Sequence, residues 1–91
     1  MTNNHKLSNL PNLGPKSSMW LNAIGIYTFS DMESVGAVEI YRQLRELGYP
    51  ASLNLVYAIH GAIINCPWNH LSPDIRDDLR AQIAQFKNQN G

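Results

Sequence analysis

The chain has 91 residues, 44% of them hydrophobic and 15% charged, enough for one modest core and too few for two. Seven basic side chains balance seven acidic ones, which excludes a polyelectrolyte partner for nucleic acid or a membrane surface, so binding of that kind needs a local patch. The single cysteine, Cys66, excludes an internal disulfide framework, and no charged n-region with an apolar stretch behind it opens the chain, so the cytoplasm is the expected compartment.

Residues 1–9 are polar, rich in Asn and without period, and read as a tail that joins the fold around Leu7 or Leu10. In Leu10-Pro11-Asn12-Leu13-Gly14-Pro15-Lys16-Ser17-Ser18, Asn12 and Gly14 tolerate positive φ and Pro15 suits a first helical position, so a tight turn should open a helix. That helix is expected over 15–24, burying Trp20 and Ile24 with Met19 and Ala23 beside them, and stopping at Gly25. Thr28-Phe29-Ser30-Asp31 has the spacing of a capping box with Asp in the Glu position. A short helix to Val35 should bury Phe29, Met32 and Val35, with Gly36 as its breaker. The next helix, 37–47, places Ala37, Ile40, Tyr41, Leu44 and Leu47 on one face, with Glu39, Arg42 and Glu46 spaced for pairing on the other.

Gly48 ends that helix, and Ser52 caps the most apolar stretch of the chain, 52–64. Its apolar positions point all round a helical projection, which predicts a central helix surrounded by the others. It is shorter than the roughly 18 to 20 residues of a membrane span and contains Asn54 and His60, so a transmembrane reading is rejected. Gly61 reads as a notch for a close neighbour, and Asn65-Cys66-Pro67 ends the helix. Trp68 and Leu71 anchor a loop, and Ser72-Pro73-Asp74 starts a last helix with Ile75, Leu79, Ile83 and Phe86 along one side. The fold class is therefore all-α: a small bundle of five helices over 10–87 around the helix at 52–64, with 88–91 as a frayed tail.

Few constellations carry chemistry. His60, Cys66 and His70 beside Asp74 match no standard zinc spacing, and Pro67 breaks the helix that would align Cys66 with His70, so no metal and no cofactor is expected. His60 reads as a hydrogen-bonded core or boundary residue. Cys66 at a helix C-terminus lacks the positive environment of a nucleophile, and Asp74, Asp77 and Asp78 suit the positive end of a helix dipole. No acid and base pair can be named, and the protein is read as not an enzyme. The sharper option is the turn at 13–18: free N–H groups at a helix start, with Lys16, Ser17 and Ser18 beside them, form an anion or phosphate cradle.

Taken together, Asn12-Leu13-Gly14-Pro15-Lys16-Ser17, Trp20-Leu21 with Ile24-Gly25-Ile26, Thr28 with Asp31-Met32, Val35-Gly36-Ala37-Val38 with Tyr41, Leu53-Asn54-Leu55 with Tyr57-Ala58 and Gly61-Ala62, and Trp68-Asn69 with Leu71 resemble the C-terminal domain of the TfoX/Sxy competence regulators. The resemblance spans about 10–79 and implies a bacterial all-helical bundle of helix-hairpin-helix character. It implies a non-enzymatic regulatory module working with the transcription machinery, and it lends weight to Leu13, Gly14, Lys16, Ser17 and Ser18 as nucleic-acid contacts. Full-length regulators carry a further N-terminal domain, and here a short polar tail precedes Leu10, so a stand-alone domain is expected.

Two readings follow. In the first, the hairpin at 13–18 contacts DNA or a DNA-bound transcription factor, helped by Lys6 and Lys16. In the alternative, the domain is a protein–protein interaction or homo-oligomerisation module, such as a homo-dimer, without nucleic-acid contact, as neutral charge and abundant large apolar residues suggest.

Overall fold

A computed structural model describes residues 13–89, with side chains as far as Gln85. In chain order come α1 (Pro15–Ala23), α2 (Phe29–Val35), α3 (Ala37–Glu46), α4 (Leu53–Ile64), a single 3₁₀ turn (Trp68–His70) and α5 (Pro73–Gln89). No β-strand occurs among the described residues, and the five-helix, all-α bundle expected from the sequence forms. The expectations for Lys6, Leu7, Leu10, Asn12 and the Phe86 side chain lie outside the described residues. The backbone of α5 stays helical to Gln89, into the stretch 88–91 expected to fray.

Short-range chemistry sets most helix ends. At α2 the Thr28 hydroxyl accepts from the Asp31 N–H at 3.1 Å while the Asp31 carboxylate accepts from the Thr28 N–H at 3.2 Å, closing the capping box. The N–H of Tyr27 reaches the same carboxylate, and together these donors hold the Asp31 pKa below its ordinary value. Ser52 caps α4 through the Leu55 N–H and Ser72 caps α5 through the Ile75 N–H, each at 3.3 Å. The C-terminal ends of α1, α3 and α4 share one device. Gly25, Gly48 and Asn65 turn to φ of 87°, 93° and 58°, so that Ile26, Tyr49 and Cys66 donate back to Leu21, Leu44 and Gly61. Gly36, at φ 88° and ψ 153°, is both the last residue of α2's corner and the N-cap of α3.

The core is built from Leu21, Ile26, Met32, Ile40, Leu44, Val56 and Ile59, all fully buried, and no buried polar side chain accompanies them among the described residues. Each such apolar side chain contributes on the order of 1.5 to 3 kcal/mol before entropy is subtracted. Helix α4 packs on α2, α3, α5 and the 3₁₀ turn, and α3 packs on α2, α4 and α5, so the centre is the α3–α4 pair rather than α4 alone. Nor is α4 wholly surrounded: it buries Val56, Tyr57, Ile59, Gly61 and Ala62, while Asn54 and Ile64 face out. Too few helices pack on it to cover every side.

Two faces differ from expectation. In α1, Leu21 is the fully buried residue, Trp20 and Ile24 are half-buried, and Met19 is 67% exposed. Five of the six residues 19–24 are apolar, so periodicity could not single out the inward one. Leu47 stands outside α3 as its C-cap and is 61% exposed, because the turn at Gly48 has begun to rotate the chain away. The polar face of α3 pairs as its spacing indicates. The Arg42 guanidinium donates to both Glu39 oxygens, at 2.9 and 2.5 Å, and to Glu46 at 2.6 Å. The Arg42 hydrogen bonds, then one from Gln43, hold the Glu39 pKa down to about 2.

Candidate nucleic-acid interface

The stretch 13–18 divides into an inward and an outward part. Leu13 is 6% exposed and belongs to the core at the start of α1. Ser18 is half-buried, with its hydroxyl oxygen out of solvent and without a hydrogen-bond partner. Gly14, Lys16 and Ser17 remain accessible. Gly14 adopts φ −113° and ψ −175°, extended backbone open to any residue, so the positive φ allowed for it in the sequence is not used. A Cβ placed on Gly14 would meet no atom within 4 Å. Neither conformation nor internal packing requires glycine here, and the open space over its backbone is accessible to an incoming group.

Helix α1 starts without the usual compensation. It has no side-chain cap and no acidic residue in its first turn, whereas α2, α3 and α5 carry Asp31, Glu39 and Asp74 there and α4 is capped by Ser52. Pro15 has no N–H, and the first helical hydrogen bond runs from the Ser18 N–H to the Gly14 carbonyl at 3.0 Å. The N–H groups of Lys16 and Ser17 therefore precede the ladder, at the positive end of the helix dipole.

Lys16 is not a loose side chain. Its ammonium lies 5.3 Å from the centroid of the Trp20 ring, one turn along α1, and Trp20 packs on Tyr49 at 5.4 Å with the rings tilted by 45°. Sequence reading placed Trp20 in the core and missed this role, although the Lys-x-x-x-Trp spacing of one helical turn is the signal for it.

The other candidates stay apart. His60 is half-buried and makes no hydrogen bond among the described residues, contrary to the expectation of a bonded histidine. It faces a groove of about 380 Å³ shared with Glu39, Asp78 and Gln82, whose polar groups bond to one another or to Arg42 instead. Cys66 is half-buried and its thiol donates to the Pro67 carbonyl at 3.5 Å. Among the described residues, no three His, Cys, Asp or Glu side chains converge as metal ligands would, so His60, Cys66 and His70 are not brought together. Asp74, Asp77 and Asp78 are exposed on α5, where Asp77 pairs with Arg80 at 3.4 Å and Asp78 accepts from Gln82 at 2.8 Å. No helix among the described residues is long and apolar enough to cross a membrane.

A family model described as the TfoX C-terminal domain matches residues 3–83. Two solved structures share the fold. A crystal structure of an uncharacterized protein from Listeria monocytogenes, triclinic form, superposes with a TM-score of 0.85 at 25% identity, covering 91% of this chain and 94% of that one. A tetragonal form of a protein of unknown function from the same organism gives 0.80 at 26% identity, covering 87% and 98%. No curated protein matches the chain.

Proposed function

The chain belongs to the TfoX C-terminal domain family, and on that premise we propose that it is a non-enzymatic regulatory module of the cytoplasm, related to competence regulators, which contacts DNA or a DNA-bound transcription factor through the start of α1. The observation that carries this reading is the uncapped N-terminus of α1, with open space over Gly14 and Lys16 beside two unpaired N–H groups. Such a terminus suits one phosphate. A single lysine neutralises little of a duplex, so affinity is weak on its own and is supplemented by a second copy or by the protein already on the DNA. Fluorescence anisotropy with a labelled duplex at low salt tests it: binding should weaken with salt and disappear in Lys16→Glu. If no duplex affinity appears and Lys16→Glu changes nothing, direct DNA contact is abandoned.

One observation favours the second reading, a protein-interaction or homo-dimer module. Met19 and Leu47 are more than half exposed, and a groove of about 350 Å³ between α1 and α3 is lined by Ile24, Leu47, Arg42, Gln43 and Glu46. Surface of this kind serves protein contacts. Sedimentation equilibrium discriminates: a strict monomer at every concentration rules out the homo-dimer.

A further inference from the structure

A third concavity lies where the C-terminal half of α3, the start of α4 and the middle of α5 meet, and its chemistry differs from that of the two grooves above. Its volume is about 280 Å³, and Tyr41, Arg45, Ser52, Leu53, Arg80 and Ile83 are among the residues that line it. The groove at His60 contains Glu39 and Asp78 and the one at Leu47 contains Glu46, but no acidic side chain lines this one. Two arginines from separate helices thus border one small concave space together with the N-terminus of a third helix.

The donors there are incompletely used. Tyr41 is 7% exposed, so its ring is held in the core against the concavity that it helps to line. The Arg45 guanidinium lies 6.0 Å from the centroid of that ring and spends one N–H on the Ala51 carbonyl at a long 3.5 Å, leaving its other donors. Among the described residues Arg80 meets Asp77 alone, at 3.4 Å, with both side chains more than half exposed, an ion pair weak enough to yield to a better acceptor. The Ser52 oxygen accepts from the Leu55 N–H, which leaves its proton to donate, and the Leu53 N–H stands ahead of the first hydrogen bond of α4. Ala51, Leu53, Ile83 and Ala84 supply an apolar floor.

We infer that this concavity is a binding site for the phosphate group of a small molecule, with Arg45 and Arg80 as its charged clamps, Tyr41 and Ser52 as hydroxyl donors and the start of α4 beneath. Arginine pairs match phosphate oxygens in geometry as well as charge. The space is bounded by three helices and suits a terminal phosphate with a small apolar body rather than the continuous ridge of a nucleic-acid backbone. The site is separate from the start of α1 and does not rest on the DNA reading.

The test titrates inorganic phosphate into the full chain at fixed ionic strength and follows amide ¹H–¹⁵N shifts, with chloride as the control salt. Saturable shifts at Ser52, Leu53 and Arg80 are expected. Arg80→Gln, at an exposed position that leaves the fold intact, should weaken them by roughly tenfold or more, as loss of a charge-assisted hydrogen bond does. Tyr41→Phe should weaken them less, and Lys16→Glu should leave them as they are. Shifts that rise linearly without saturating, or that persist unchanged in Arg80→Gln, overturn the site. A short duplex that reproduces the same shifts where inorganic phosphate does not overturns the assignment to a small molecule.

Discussion

The ammonium of Lys16 rests 5.3 Å above the Trp20 ring, and that ring is itself held against Tyr49 in the turn after α3. The Lys16 ammonium at the start of α1 is thereby oriented before any ligand arrives. Replacing Lys16 by Gln should lower unfolding stability by about 0.5 to 1 kcal/mol, the usual worth of an exposed cation–π contact. A urea midpoint identical to that of the parent protein would show that the contact contributes nothing.

The glycines separate conformational need from open space. At Gly36, φ 88° with ψ 153° is reserved for glycine, so Gly36→Ala should cost about 1 to 3 kcal/mol although nothing obstructs the new methyl. At Gly14 the backbone is extended and the surroundings equally open, so Gly14→Ala should change stability by less than about 1 kcal/mol. Thermal denaturation of both variants decides this. Equal losses would contradict the assignment.

Leu21 and Met19 lie two residues apart on α1 with opposite fates. Leu21→Ala should lose about 2 to 5 kcal/mol because the side chain is fully buried, and Met19→Ala no more than about 0.5 kcal/mol. A large loss at Met19 in a concentration-dependent melt would instead reveal that the exposed face of α1 is covered by a second copy.

Glu39 gives a pH dependence with a defined sign. Its carboxyl is held at about 2, against an ordinary 4.5, by the Arg42 hydrogen bonds first and by Gln43 second. A folded value below the unfolded one means the contribution is complete above about pH 4.5 and is lost as pH falls toward 2. The Glu39 side chain is 39% exposed, so the amount is held to about 1 kcal/mol or less. Asp31, also lowered, adds in the same direction. Glu39→Gln should flatten this part of an acid titration of stability, and an unchanged acid limb would remove Glu39 from the account.

Helix ends were readable because their causes are local. Thr28 with Asp31, Ser52, Ser72 before Pro73, and the stops at Gly25, Gly48 and Asn65 each act within a few residues of themselves. The inward face of α1 was not readable, since Met19, Trp20, Leu21, Ala23 and Ile24 are all apolar and tertiary packing makes the choice. At the candidate interface, the helix start at Pro15 and the place of Lys16 in its first turn were legible. The burial of Leu13 and of the Ser18 hydroxyl depends on what the rest of the bundle presents to them. The meeting of Arg45 with Arg80 was beyond a linear reading, because the two lie on different helices and only the packing of α3 and α5 brings them to one space.

Gly36 joins α2 to α3 without a spare residue, so the direction of each helix is tied to a single pair of backbone torsions. A corner of that kind has no slack to absorb changes in chain length. One residue inserted between Met32 and Gly36 would turn the Met32 side chain about 100° around its axis, out of the core it fills. Length variation in proteins of this fold is therefore expected to collect at Tyr49–Ala51 and in the turn before α5, while the distance along the chain from Thr28 to Leu44 stays constant.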